Sequence, residues 1–202
     1  MFRKRAKETE SGNPPYLIVG LGNPGPEYRE NRHNAGFMAV EKLAEDLGVK
    51  FAKVQNEAMV AQAGTGEGRI VLAKPRTFMN NSGVSVSQLV RFYKVPMEKL
   101  LVAFDDVDLP FETLRLRSEG SSGGQNGMKS IIQKLGSQDF ARLRIGVGRP
   151  KGRMSTPNHV LQDFSRSEQQ ALPFVLKRCS DAMQTFVNEG IVAAMNKFNG
   201  GE

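Results

Sequence analysis

One of the two histidines of this chain lies in a stretch whose residue types suit proton transfer. His33 follows the segment Gly20-Leu-Gly-Asn-Pro-Gly25, which itself follows an apolar run over residues 16–19. Open α/β sheets hold their ligands at the carboxyl ends of their strands, and this spacing predicts that His33 lies near such an end. Because imidazole changes its charge near neutral pH, we expect His33 to act as a general base.

Further polar side chains follow other apolar runs or precede a predicted helix. They are Asn23, Asn80, Asn126 and the acidic residues Asp105, Asp106 and Asp108. A carboxylate beside a histidine fixes its tautomer and stabilises its charged form. Asparagine amides can donate to an oxyanion or pair with a peptide unit. We expect no serine elbow of the Gly-x-Ser-x-Gly type, so a hydrolase built from these residues would use activated water.

Alternating strand and helix patterns must position these residues. Strands are predicted at residues 16–21, 58–63, 69–73, 100–104, 113–117 and 142–147. Helices are predicted at residues 34–47, 82–93 and 127–135, from a capping box beginning at Ser167 to about residue 190, and at 191–198. This alternation predicts a single-domain α/β three-layer sandwich, with a mixed, largely parallel sheet covered by helices on both faces.

Length and composition fit one domain with a sizeable core. The 202 residues are 39% hydrophobic and 24% charged, as in a soluble globular protein. We expect a flexible basic tail over residues 1–14, one catalytic domain over 15–202, and a mobile basic loop over 149–158. No apolar run approaches the roughly 20 residues that span a membrane. The lone Cys179 is expected in the core and favours the cytoplasm, a reducing compartment.

Positive charge is concentrated in two predicted strands. The formal net charge is +7, which favours polyanionic partners. Arg115 and Arg117 alternate along one strand and Arg142 and Arg144 along another, so each pair shares a face. Such ridges could hold a phosphate backbone with strong salt dependence, or could be a solvated sheet edge.

Six short motifs together resemble the bacterial peptidyl-tRNA hydrolase family over residues 16 to about 199. They are Gly20-Leu-Gly-Asn-Pro-Gly25, Arg32-His-Asn-Ala-Gly36, Lys74-Pro-Arg-Thr-Phe-Met-Asn80, Asp105-Asp-Val-Asp-Leu-Pro110, Gly123-Gly-Gln-Asn-Gly127 and Arg144-Ile-Gly-Val-Gly148. The resemblance implies a monomeric enzyme without metal or cofactor that cleaves the ester between peptide and tRNA. It would recycle tRNA from peptidyl-tRNAs released early by the ribosome, contacting the acceptor stem and 3′ end, with no membrane or obligate protein partner.

The resemblance also implies roles for individual residues. His33 would activate water, and Asp105 would stabilise and orient His33. Asn23 would separate blocked from unblocked aminoacyl-tRNA. It implies that four residues bind substrate: Tyr28, Phe78, Asn80 and Asn126. It implies that Arg117 and Arg144 hold the tRNA phosphate.

One departure from the family pattern concerns Gln125, where many members have histidine. Glutamine does not titrate but can still hydrogen-bond substrate, so proton transfer would be left to His33. Two other functions stay open. A catalytically silent RNA-binding relative, as in plastid intron splicing, would not need the base and its partner. A metal-dependent phosphoesterase would use Asp105, Asp106 and Asp108. His159 belongs to no motif and is expected to be structural or at the surface.

Overall fold

The computed structural model describes residues 13–150 and 152–200, and within these ranges seven strands form one sheet. The strands are β1 Tyr16–Gly20, β2 Lys53–Gln55, β3 Ala58–Ala63, β4 Ile70–Pro75, β5 Leu100–Asp106, β6 Leu114–Arg117 and β7 Ala141–Gly146. Their order is β2-β3-β4-β1-β5-β7-β6, with β4, β1, β5 and β7 parallel and antiparallel pairs at both edges. The predicted mixed, largely parallel sheet is therefore confirmed.

Helices cover both faces of this sheet. They are α1 Ala35–Asp46, α2 Ser82–Tyr93, α3 Asn126–Leu135, α4 Thr156–Val160, α5 Arg166–Glu189 and α6 Ile191–Phe198. One buried apolar cluster joins the sheet to α1, α5 and α6, and includes the fully buried Cys179. A second cluster joins the opposite face to α2 and α3. The three-layer α/β architecture is confirmed.

The central strands are apolar throughout because both of their faces are covered. In β1, Ile18 points to the α1 side, whereas Leu17 and Val19 point to the α2 and α3 side. All three side chains are fully buried. In the described ranges, no helix is long and apolar enough to cross a membrane.

Two glycines bring α1 close to the sheet. A Cβ on Gly36 would collide with the carbonyl oxygen of Ala103, and one on Gly20 would collide with the carbonyl of Gly36. The amide of Phe37 donates to the carbonyl of Leu21 at 3.0 Å. The turn over residues 31–34, which carries His33, is therefore held across the carboxyl ends of β1 and β5.

Several predicted boundaries need correction. The capping box of α5 begins at Ser165, not Ser167: Ser165 Oγ accepts from the Glu168 amide, and the Glu168 carboxylate accepts from the Ser165 amide. The predicted loop at 149–158 overlaps the short helix α4, which Ser155 caps. Strand β5 extends through Asp106, so Asp105 and Asp106 are its last two residues and do not follow it as predicted.

The short edge strand β2 was not predicted, because its three residues carry little apolar pattern. Of the predicted tail over residues 1–14, residues 1–12 lie outside the described part of the chain. In contrast, the predicted helices at 82–93 and 191–198 are confirmed residue for residue.

Candidate active site

Polar residues from four separate segments meet in a cleft of about 580 Å³ at the carboxyl edge of the sheet. The segments follow β1, end β5, follow β4 and begin α3, and α4 closes one side with Thr156, Pro157 and Val160. Of the nine residues to which the resemblance gives a role, six line this cleft: Asn23, His33, Phe78, Asn80, Asp105 and Asn126. Parallel strands bring their carboxyl ends to one edge, which is why residues so distant in sequence converge.

His33 and Asp105 form a closely paired donor and acceptor in the cleft wall. The His33 Nδ1 atom donates to Asp105 Oδ2 at 2.7 Å, and the two side chains are 14% and 3% exposed. This pairing fixes the tautomer of the neutral ring, so that Nε2 has the lone pair that can accept a proton. The arrangement can therefore serve general-base chemistry in the cleft.

Gln125 contacts the other oxygen of this carboxylate. Its Nε2 donates to Asp105 Oδ1 at 3.1 Å, while its Oε1 accepts from the amide of Met128 at 2.8 Å and caps α3. Both ends of the Gln125 amide therefore have partners within the protein, and the side chain also lines the cleft.

Asn23 is oriented by the turn around it. Its backbone amide donates to Asn34 Oδ1 at 2.8 Å, and Asn34 Nδ2 donates back to the Asn23 carbonyl at 3.0 Å. The amide of Met79 donates to Asn23 Oδ1 at 2.9 Å. Since the side-chain oxygen has this donor, the Nδ2 group of Asn23 is the end that can serve a ligand in the cleft.

The aromatic residues are divided between the cleft and its rim. The ring of Phe78 lines the cleft and is 57% exposed. Tyr28 lies outside the lining and packs edge-on against Phe78, with ring centroids 6.5 Å apart. The structure thus places Tyr28 beside a lining residue, and it can influence a ligand through the position of Phe78.

The three aspartates of the predicted acidic group have separate basic partners. Asp105 pairs with His33, Asp106 forms an ion pair with Arg144, and Asp108 forms one with Arg149 at 2.6 Å. Within residues 13–150 and 152–200, no group of three histidine, cysteine, aspartate or glutamate side chains is arranged to hold a metal ion.

The arginine ridges are only partly as predicted. Strand register places Arg115 opposite Arg144 and Arg117 opposite Arg142, so all four share one face. Arg117 is exposed and Arg144 is 28% exposed, and both lie outside the cleft lining.

Arg142 does not belong to an exposed ridge. It is 2% exposed and donates to the backbone carbonyls of Gly120, Ser121 and Gln138. Burial lowers the pKa of its guanidinium. Alternation correctly predicted the face of the strand, but not that the segment before α3 would cover it.

Two residues around the site have structural roles: that of Arg32 was not predicted, whereas His159 was expected to be structural or at the surface. Arg32, which is 6% exposed, donates to the carbonyls of Gln162 and Asp163 and pairs with Glu168 at 2.6 Å. It ties the turn that carries His33 to the segment after α4. His159 Nε2 donates to the Gly148 carbonyl at 3.0 Å and attaches α4 to the end of β7. Their partners are distant or irregular in sequence, so no local pattern identifies them.

The letters Gly-x-Ser-x-Gly do occur once, at residues 120–124, contrary to the expectation from the sequence. A nucleophile elbow places its serine on the sharp turn that joins a strand to a helix, facing the site. Ser122 instead lies outside the cleft lining, and its carbonyl accepts from the amide of Gln125 at 3.0 Å. This segment shapes the start of α3.

Comparisons with known proteins agree on one family. A family model described as Peptidyl-tRNA hydrolase matches residues 17–202. The chain is 48% identical to the peptidyl-tRNA hydrolase of Chloroflexus aggregans over 185 residues, 91% of this chain and 98% of that protein. It is 50% identical to the chloroplastic peptidyl-tRNA hydrolase of Arabidopsis thaliana over 177 residues, 87% of this chain and 62% of that protein. The crystal structure of peptidyl-tRNA hydrolase from Acinetobacter baumannii superposes with a TM-score of 0.86 at 34% identity, covering 96% and 99% of the two chains.

Proposed function

This chain belongs to the peptidyl-tRNA hydrolase family, and from that premise we propose which of its residues carry out the hydrolysis of peptidyl-tRNA. The observation that carries the proposal is the 2.7 Å hydrogen bond between His33 Nδ1 and Asp105 in the cleft wall. It leaves Nε2 of the imidazole to act on water, and the cleft has room for an ester beside it.

In the proposed reaction, His33 Nε2 takes a proton from water as the water oxygen attacks the acyl carbon of the ester. Asp105 stabilises the imidazolium that forms. The bond between the acyl carbon and the ribose 3′ oxygen then breaks, and that oxygen takes the proton back from His33. The products are a tRNA 3′ hydroxyl and a free peptide carboxylic acid, which releases its proton to solvent. The tRNA is thereby recycled from peptidyl-tRNAs released early by the ribosome.

We assign substrate selection to the amide side chains. The Nδ2 group of Asn23 can donate to a peptide carbonyl, and Asn80 and Asn126 are exposed along the same cleft. A free aminoacyl-tRNA offers an ammonium group in place of the peptide unit. A buried polar group that loses its partner costs about 1–3 kcal/mol, which is enough for useful discrimination against the wrong substrate.

We assign the acceptor stem to Arg117 and Arg144. Both lie on one face of β6 and β7, beyond the cleft, where a polyanion extending from the 3′ end could run. Arg144 uses Nε to pair with Asp106, an arrangement that leaves its two terminal nitrogens for a phosphate. Phe78, with Tyr28 packed against it, provides an exposed aromatic face for the substrate in the cleft.

We further propose that residues 15–202 act as one catalytic domain, as a monomer in the cytoplasm without an obligate protein partner. The single cysteine fits a reducing compartment, because one cysteine forms no intrachain disulfide.

The test is hydrolysis of an N-acetyl-aminoacyl-tRNA by the wild-type protein, with the unblocked aminoacyl-tRNA as control. We expect cleavage of the blocked substrate, little cleavage of the control, and rates within about twofold with and without EDTA. Loss of activity in chelator would favour a metal-dependent phosphoesterase instead. Tight tRNA binding with no hydrolysis would show a silent RNA-binding protein.

A further inference from the structure

We propose that Gln125 is a positioning residue for the general base, holding Asp105 in the orientation in which it pairs with His33. This inference rests on the proposed function of the cleft and adds a role for a residue outside the reacting groups. It replaces direct substrate contact as the role of Gln125.

Asp105 needs a second partner because it is almost completely buried. The residue is 4% exposed, and its two oxygens have one donor each: His33 Nδ1 at 2.7 Å on Oδ2 and Gln125 Nε2 at 3.1 Å on Oδ1. A buried carboxylate oxygen without a donor costs more free energy than a neutral group does. Without Gln125, the carboxylate would be free to rotate about its Cβ–Cγ bond, away from the imidazole.

The amide of Gln125 is itself fixed in orientation. Its Oε1 accepts from the Met128 amide at 2.8 Å as the cap of α3, so Nε2 is the end that faces Asp105. The same Nε2 lies 3.1 Å from the sulfur of Met79, whose backbone amide holds Asn23. One side chain therefore connects the start of α3 with the carboxylate and with the turn beside Asn23.

The start of α3 is held in place by close packing. A Cβ on Gly127 would lie 2.6 Å from the Met79 sulfur and 2.9 Å from Cδ1 of Leu21, closer than ordinary contact allows. A larger residue here would displace the side chains of Met79 and Leu21, and the close approach brings Gln125 within hydrogen-bond distance of Asp105. The packing of α3 thus positions Gln125, and Gln125 in turn positions Asp105 and the base His33.

The choice of glutamine has a consequence for pH dependence. The charged and titratable groups around Asp105 are His33, the Asp106–Arg144 pair and the Asp108–Arg149 pair, with His159 directed to backbone carbonyls. An amide does not ionise, so its donor to Asp105 persists at every pH at which the protein is folded. We therefore expect the support that Gln125 gives to Asp105 to be independent of pH.

Gln125→Glu tests this role, because it keeps the oxygen that caps α3 and replaces only the donor to Asp105. Two carboxylates this close share one proton at low pH, and the introduced carboxyl group, when protonated, then donates as the amide did. At higher pH both ionise and repel. We expect the cost in kcat relative to the wild type to grow with pH and to reach about tenfold or more by pH 8.5, because ionisation removes the donor to Asp105. KM should stay within about twofold.

The matched control is Gln133→Glu, the same change at an exposed position of the same helix. It should keep the shape of the wild-type profile. Gln125→Met, which removes both the donor and the cap, should lower kcat by about tenfold at every pH without a new limb. Rates are corrected for uncatalysed ester hydrolysis, and thermal unfolding shows that each variant is folded.

A wild-type profile for Gln125→Glu would overturn the positioning role, and so would a rise in KM with kcat unchanged, which would indicate substrate contact. Neither result would affect the proposed function, since that depends on the wild-type protein cleaving the blocked substrate. Inactive wild-type protein, in contrast, would contradict the function itself.

Discussion

Two aspartates near opposite ends of α1 each have more than one hydrogen-bond donor, but the donors differ in kind. Asp46, at the end of α1, accepts from Ser180 Oγ at 2.6 Å and pairs with Lys42 at 2.9 Å and Lys177 at 3.2 Å. Asp105, at the end of β5, accepts from His33 and Gln125. Both carboxylates are bonded on more than one side, yet only Asp105 faces a cleft.

The difference lies in what the partners can do. Burial opposes ionisation of Asp46, but its hydroxyl and lysine partners outweigh this and lower its pKa to about 2. The two lysines stay charged and the serine hydroxyl stays neutral throughout the physiological pH range. The cluster therefore joins α1 to α5 and supports stability. The imidazole partner of Asp105 can exchange a proton with a molecule in the cleft. We therefore expect changes near Asp105 to affect activity, and changes at Asp46 to affect stability.

The largest expected effect is that of His33→Ala. The substitution removes the proposed base from the cleft, so kcat should fall by at least about 10²-fold. The measurement is single-turnover hydrolysis of an N-acetyl-aminoacyl-tRNA, with the free energy of unfolding measured in urea alongside. A variant with unchanged turnover would show that His33 is not the base.

Asn23→Asp should have the next largest effect. The substitution keeps the oxygen that accepts from the Met79 amide but replaces the Nδ2 donor with a second oxygen. Loss of one donor to a developing charge or a peptide carbonyl costs on the order of 10²-fold in kcat/KM. Steady-state kinetics on blocked and unblocked substrates measure this. Equal losses on both substrates would contradict a role in reading the peptide unit.

The arginines of β6 and β7 should affect binding more than chemistry. Arg117→Ala and Arg144→Ala should each weaken tRNA binding at low salt and reduce the slope of log K against log salt by about 0.7–0.9 for each phosphate that the variant no longer neutralises. Fluorescence titrations over a salt series provide the slopes. If the slopes equal that of the wild type, neither arginine meets phosphate.

Asp46→Asn should have the smallest effect, confined to stability. Because the pKa of Asp46 in the folded protein, about 2, is below its ordinary value of 3.8, its contribution is present above about pH 4 and is lost as pH falls towards 2. Allowing for screening by solvent, the free energy of unfolding at pH 7 should drop by about 1 kcal/mol. Chemical denaturation of the wild type and the variant at pH 7 and pH 2.5 measures the difference in their free energies of unfolding at both pH values. A difference that persists at the lower pH, or a loss of hydrolysis, would remove the contrast with Asp105.

The sequence predicts the catalytic side of this comparison better than the structural side. His33, Asp105 and Asn23 follow apolar strands, and the rule that parallel strands end at one edge brings them together without further information. The partners of Asp46 on α5 lie more than 130 residues away. Local periodicity gives the buried face of each helix, but it does not show which residues meet between two helices.

The same limit explains the errors within the site. Arg142 and Arg144 have the same alternation, yet one is covered by the segment before α3 and the other is not. From the sequence, Gln125 is predicted only to bond substrate. Its hydrogen bonds to Met128 and Asp105 become known only from the structure. In both cases the deciding contact joins residues about 20 positions apart in the sequence, which local patterns do not reveal.

The central claim is that Asp105 acts through His33. The most direct measurement is kcat/KM for Asp105→Asn in the wild-type background and again in His33→Ala. We expect the substitution to cost about 10²-fold when His33 is present and less than about twofold when it is absent, because residues that act as a unit are not additive. An equal cost in both backgrounds would show that Asp105 works independently of His33, and would contradict the account.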